Sequence, residues 1–192
     1  MNWIGLWTLT SREVGRFFKV YRQTVIPGLI SSVLYILIFG FTLEQRISSI
    51  EGISYTIFII PGLIMMNTLT NASSNPSSSL LQMKLTGQVP DLMQAPLSSL
   101  EISLAFIVGG VVRGVVNGIL ILLIGMWIGG MEVLYPIATI GFIFVVSIAF
   151  SSMGLLLGQL ADTWDQLATM QNFFLTPLSF LDRKSTRLNS SH

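Results

Sequence analysis

The sequence predicts an all-α fold, a polytopic transmembrane helical bundle, and three observations lead there. Four stretches of about twenty apolar residues and the start of a fifth fill the chain: Thr24 to Leu43, Ser54 to Ala72, Ile102 to Ile124, Leu134 to Leu160 and Leu167 to Leu181. Only one charged residue, Arg113, lies within any of them. Charged residues are 10% of the chain and the mean hydropathy is +0.73, whereas a soluble domain carries about 25% charge. About 20 residues of helix cross the ~30 Å hydrocarbon core of a bilayer. Four complete spans and a truncated fifth are therefore expected, and function must be read from the few polar groups and from the loops.

Ahead of the first span, residues 10–23 read as an amphipathic helix. Val14, Phe17, Phe18 and Tyr21 recur at helical spacing, with Arg12, Arg16, Lys19 and Gln23 on the other face. Thr10 and Glu13 have the spacing of a capping box. With Trp3 and Trp7 added, the segment suits an interfacial helix lying on the bilayer surface, as a topology anchor or as a docking element. The apolar run from Thr24 is too long for a removable signal peptide. Arg12, Arg16, Lys19, Arg22 and Lys84 flank one side of the spans, and only Arg46 the other. The positive-inside rule then puts the N-terminus and the 73–101 loop in the cytoplasm. An even number of spans would require a sixth segment.

That second loop is punctuated. Gly87 stops one helix, Pro90 and Asp91 suit the first turn of another, and Pro96 ends it. Ser98 and Glu101 form a capping box at the mouth of the third span. The expected result is a short helix that carries Val89, Leu92 and Met93 toward the cytosol, where an exposed apolar cluster marks a contact with a protein partner. In the third span Gly110, Gly114 and Gly118 repeat every four residues, a doubled motif for close helix packing. Arg113 and Asn117 lie beside that face, and an arginine there must meet protein or a wet cavity. Asn67, Asn71 and Asn75 repeat likewise in the second span, and Ser147, Ser151, Gly154 and Gly158 mark the fourth. For most of these groups interhelical packing is the expected role, while Arg113 is the functional candidate.

The fifth run ends in Asp182-Arg183-Lys184-Ser185-Thr186-Arg187-Leu188-Asn189-Ser190-Ser191-His192, a polar, aperiodic string. It is similar to translated sequencing adapter, so 1–181 is expected to be the membrane domain and 182–192 an artefactual tail. Without it seven basic residues face eight acidic ones, and the slight basicity of the whole chain says nothing about partners.

Several function classes find no support. There is no cysteine for disulfides, thiolate chemistry or Cys-ligated metal, no P-loop, no His-Glu-x-x-His and no nucleophile elbow. No span carries a central carboxylate of the kind that ion-coupled carriers use. No basic face suited to nucleic acid lies outside the membrane-flanking residues. Energy for uphill transport would have to come from another subunit.

The order of these pieces, with Thr86-Gly-Gln-Val-Pro-Asp-Leu-Met-Gln-Ala-Pro-Leu-Ser-Ser-Leu-Glu-Ile102 and then Gly109-Gly-Val-Val-Arg-Gly-Val-Val-Asn-Gly118, resembles the membrane subunit of bacterial type-2 ABC transporters. The resemblance covers residues 1–181. It implies a permease of the cytoplasmic (inner) membrane that exports a drug-like, lipid or glycan substrate by alternating access. Gln88 to Gln94, including Val89, Pro90, Asp91, Leu92 and Met93, would be the coupling helix seated in a groove of a separate ABC ATPase, with Arg12, Glu13 and Arg16 at the same interface. ATP and magnesium would be bound by that ATPase, and the chain would need no cofactor or metal of its own. Two permeases would pair as a homodimer. Asn67, Asn71, Arg113 and Asn117 would offer the substrate its polar faces, by helix-face arithmetic. Family permeases have six spans, and this chain departs by stopping inside the fifth. The rival expectation is a non-transporting scaffold subunit whose asparagine and glycine stripes serve packing alone.

Overall fold

The computed structural model describes residues 2–40, 54–131 and 133–181. The end of the first apolar run, Arg46 and the 182–192 string lie outside the described residues. The described elements are all helical: α1 (Trp3–Lys19), α2 (Tyr21–Tyr35, running on as a π-helical turn Ile36–Gly40), α3 (Tyr55–Leu85), α4 (Val89–Gln94), α5 (Ser99–Gly129), α6 (Pro136–Leu160) and α7 (Trp164–Leu181). Four of them, over Tyr21–Ile38, Thr56–Leu85, Ser99–Gly129 and Pro136–Leu160, are long and apolar enough to cross a bilayer.

The amphipathic helix starts earlier than the sequence pattern suggests. Asn2 caps α1, its side-chain oxygen accepting from the Gly5 N–H at 3.1 Å. Thr10 and Glu13 therefore lie inside the helix and form no capping box. The second span also corrects the expected loop, because residues 73–85 continue α3 instead of leaving it. Proline at position 76 deprives the Ala72 carbonyl of its helical donor, yet the helix holds because neighbours pack tightly there and hydroxyls fold back on the backbone. Ser77 donates to the Ser73 carbonyl at 2.8 Å, Ser74 to Thr70 at 2.7 Å and Thr68 to Ile64 at 2.7 Å. This back-bonding hides polar side chains that read as loop chemistry in a one-dimensional pattern. At 31 residues and about 1.5 Å each, α3 runs roughly 46 Å, longer than a bilayer core is thick. Gly87, at φ +70°, ends the turn after it.

The box at Ser98 and Glu101 forms as expected: the Ser98 N–H donates to Glu101 Oε2 at 2.7 Å, and the Glu101 N–H to Ser98 Oγ at 3.3 Å. Gly130, at φ +62°, closes the other end of α5.

The centre is a seam of three helices, α3, α5 and α6. Gly110, Gly114 and Gly118 of α5 face it: a Cβ at 114 would come within 2.8 Å of the Ala72 Cβ and 2.7 Å of Ser147 Oγ, and one at 110 within 2.7 Å of the Ala72 carbonyl. On α6, Gly154 and Gly158 lie directly against the backbone of Ser73 and Ser77. Ser151 Oγ crosses to the Ile107 carbonyl at 2.9 Å. The glycine repeat thus packs helices of one chain, and it is used up there instead of remaining free for a second copy. α7 closes one flank through Leu167 on Leu81, Leu157 and Ala161, with Gln171 Nε2 donating to Ser77 Oγ at 2.8 Å. α2 lies at the periphery, and α1 crosses the N-terminal part of α5 through Leu9, Ala105 and Phe106.

Candidate coupling surface and intramembrane polar site

The six residues of α4 are too few for a stable helix alone, so neighbours hold it. Val89 and Leu92 turn inward onto Leu9, Met83, Ala105 and Phe106. Arg12 Nη2 donates to Gln88 Oε1 at 3.3 Å, tying α1 to its start. Beyond its end, Asn2 Nδ2 donates to the Pro96 carbonyl at 3.3 Å, and the Asn2 N–H donates to Glu101 Oε1. The capping carboxylate of α5 therefore also anchors α1. Between α1 and α4 an open groove of about 470 Å³ remains, floored by Leu9, Met83, Leu92 and Leu97 and rimmed by Arg12, Gln88 and Asp91. The sequence reading sent Val89, Leu92 and Met93 outward together, whereas only Met93 is fully outward, at 78% exposed. Burying the 89/92 face is what keeps so short a helix in place. Pro90 and Asp91 are exposed beside Met93.

Glu13 and Arg16, expected at the same surface as Arg12, lie deeper. Glu13 is completely buried, with Oε2 3.5 Å from Arg16 Nη2. Arg16 Nη2 also donates to the Asn75 carbonyl at 2.8 Å and to Asn75 Oδ1 at 3.3 Å. Burial pulls the Arg16 guanidinium below the ordinary arginine range; Glu13 counteracts this and Arg12 adds to it. Room for the pair comes from Gly109, where a Cβ would stand 2.8 Å from the Glu13 Cβ. Sequence reasoning missed Gly109 and gave Asn75 no part here; the Gly-Gly pair at 109–110 was the available signal.

The intramembrane residues divide in two. Arg113 Nε donates to Asn71 Oδ1 at 3.1 Å, Asn71 Nδ2 to the Asn67 carbonyl at 3.0 Å, and Asn67 Nδ2 to Ser32 Oγ at 2.9 Å. This ladder joins α5, α3 and α2. Asn117 faces the seam instead: it is 1% exposed, its Nδ2 donates to the Arg113 carbonyl at 2.9 Å, and its Oδ1 has no partner among the described residues. Three of the four predicted substrate-facing residues are thus brought together and the fourth is turned away from them. Among the described residues no group of His, Cys, Asp or Glu could hold a metal ion.

The described residues form an all-helical, multi-pass bundle with a short helix docked between its second and third spans, the layout expected of a permease subunit. The ABC-2 type transporter family model matches residues 5–182, and the chain belongs to that family. It is 35% identical over 181 residues to the inner membrane transport permease YadH of Escherichia coli strain K12, covering 94% of this chain and 71% of that protein. It is 22% identical over 184 residues to nodulation protein J of Rhizobium leguminosarum bv. viciae, covering 94% and 69%. For nodulation protein J of Bradyrhizobium diazoefficiens the figures are 23% over 181 residues, covering 94% and 68%. No solved structure matches the chain.

Proposed function

We propose that this permease is the membrane half of an ATP-driven exporter in a bacterial inner membrane, with its N-terminus cytoplasmic. A separate ABC ATPase, which binds the ATP and magnesium, docks on the 86–97 segment, and two permeases enclose the path. The observation that carries the reading is the α1–α4 groove. Its floor is apolar, its rim carries Arg12, Gln88 and Asp91, and Met93 stands free beside it. A push on α4 has a continuous route inward: through Leu92 to Met83 of α3 and through Leu97 to the α5 cap. Arg12 is the α1 residue placed to meet the ATPase, while Glu13 and Arg16 connect α1 to α3. The cargo in this reading is an amphipathic drug, lipid or glycan. Asn67, Asn71 and Arg113 offer it polar contacts, and Asn117 supports the seam behind them.

The test is co-purification of the permease with its co-expressed ATPase subunit, before and after replacing Pro90 to Leu92 by Gly-Ser-Gly. Loss of the complex from a folded permease is expected, and unchanged binding would sink the coupling role. The scaffold alternative draws on one observation, that Gly110, Gly114, Gly118 and Asn117 are all taken up by packing within the chain. It predicts that ATP hydrolysis in the assembled complex moves no solute.

A further inference from the structure

Arg113 is the one charged side chain within the apolar runs, and its hydrogen bonding is incomplete. Its Nε is occupied by Asn71 at 3.1 Å. Among the described residues its two terminal nitrogens have no bonding partner, yet they are not sealed in the interior. The terminal edge of the guanidinium fork is therefore open, beside the Asn71–Asn67–Ser32 ladder that links α3 to α2. Charge is out of balance at the same place. Arg16, a second half-buried cation, binds Asn75, one helical turn along α3 from Asn71. The buried carboxylate nearby, Glu13, lies 3.5 Å from Arg16 and compensates it. Among the described residues no carboxylate pairs with Arg113.

Depth narrows the chemistry. α1 crosses α5 at Gly109, where Glu13 packs, so Arg113 lies one turn, roughly 6 Å, beyond the layer α1 occupies. Trp3 and Trp7 are exposed on α1, as suits a helix at headgroup level. A planar fork with free donors just inside that level matches an oxyanion, which it can bind through two parallel bonds. We propose that Arg113, held in place by Asn71, is an anion site that takes the phosphate or carboxylate headgroup of an amphiphile that reaches it from the bilayer side. That the bound amphiphile is what the protein transports rests on the permease reading above; the site itself does not.

Equilibrium binding of labelled dodecyl phosphate, laurate and dodecanol to the full chain in phosphatidylcholine nanodiscs tests it. The two anions should bind tighter than dodecanol by roughly tenfold to a hundredfold, the range of a charge-assisted bond. Arg113→Gln should bring all three to the dodecanol level, Arg113→Lys should keep part of the preference, and Lys19→Gln should change nothing. If Arg113→Gln does not fold, Asn71→Ala, which leaves the charge but frees its anchor, should still weaken anion binding severalfold. An anion preference that survives Arg113→Gln, or Asn71→Ala where only that variant folds, overturns the site. Competition by phosphatidylglycerol in the nanodisc would identify a bilayer lipid as occupant; failure to compete would identify a transported solute. ATP-driven export of a neutral solute by a protein without anion preference would overturn the site and leave the permease reading. Anion binding at Arg113 with no ATP-driven movement of any solute would do the reverse.

Discussion

The α3–α5–α6 seam and the α1–α4 groove are assembled from similarly apolar stretches, yet they differ in what lies between the helices. In the seam, glycines meet backbone: Gly154 and Gly158 rest on Ser73 and Ser77, and Gly110 on Ala72 and Pro76. Gly114 and Gly118 meet side chains there, Ser147, Thr68 and Ile143, but the backbone contacts of Gly154 and Gly158 have no rotamer to change, so the three helices should move as one body. In the groove, longer side chains such as Leu9, Met83 and Leu92 form the floor, and α4 is held by a few side-chain bonds to α1 and the α5 cap. That layer can be repacked. A transporter driven from one end needs both, an adjustable contact that receives the push and a stiff bundle that carries it onward. Glu13, Arg16 and Asn75 lie where the two regions meet.

Four predictions break or sharpen this contrast. The largest effect is expected at the junction, where Arg16→Ala would leave Glu13 buried and unpaired at about 3–5 kcal/mol, seen as a lowered melting temperature in detergent. The double variant Glu13→Gln with Arg16→Met should recover most of that loss, and failure to recover would argue against pairing as the cause. Next is Gly154→Val in the seam, expected to cost roughly 1–3 kcal/mol or more because the obstruction is backbone that has no side chain to move. Gly62, with open space where a Cβ would go, is the matched control, and Gly62→Ala should melt like the parent. Glu101→Ala removes the carboxylate half of the α5 capping box and the anchor of Asn2 together, an effect of about 1–2 kcal/mol. It should also speed proteolysis near the start of α1. Smallest in stability is Asp91→Ala with Met93→Ala, both exposed, expected to shift the melt by less than about 0.5 kcal/mol while weakening ATPase binding. A fully retained complex would move the docking surface away from α4.

Much of this was legible in one dimension, and the failures share a cause. The presence of four spans, the Ser98–Glu101 box, the break at Gly87 and the small-residue repeat of α5 depend on local chemistry, and each appears as its residues predict, although the second span runs on past its expected end. The loop expected from residue 73 was misread because Asn, Pro and Ser signal loops in water. In α3 the Ser74 and Ser77 hydroxyls and the Asn71 amide bond back four residues, and the small serines admit α6. The first helix was started too late because its true cap, Asn2, precedes a stretch whose tryptophans obscure the pattern. Glu13 and Arg16 looked like surface charges on an amphipathic wheel. Whether a charge on a helix is exposed depends on what lies across from it, and here that is Gly109, 96 positions on from Glu13.

The sequence by itself therefore determined the class of protein. Apolar runs of bilayer length and their helical punctuation are set by transfer free energy and backbone geometry, and both are properties of contiguous residues. Tertiary structure alone decided which polar groups are paired. It joined Arg113 to Asn71, buried Glu13 beside Arg16, turned Asn117 into the seam and tied Asn2 to Glu101. Arg113–Asn71 and Asn2–Glu101 join residues far apart in the chain, and even the local pairs, Glu13 with Arg16 and Asn117 with the Arg113 carbonyl, depend on burial that no single segment can specify.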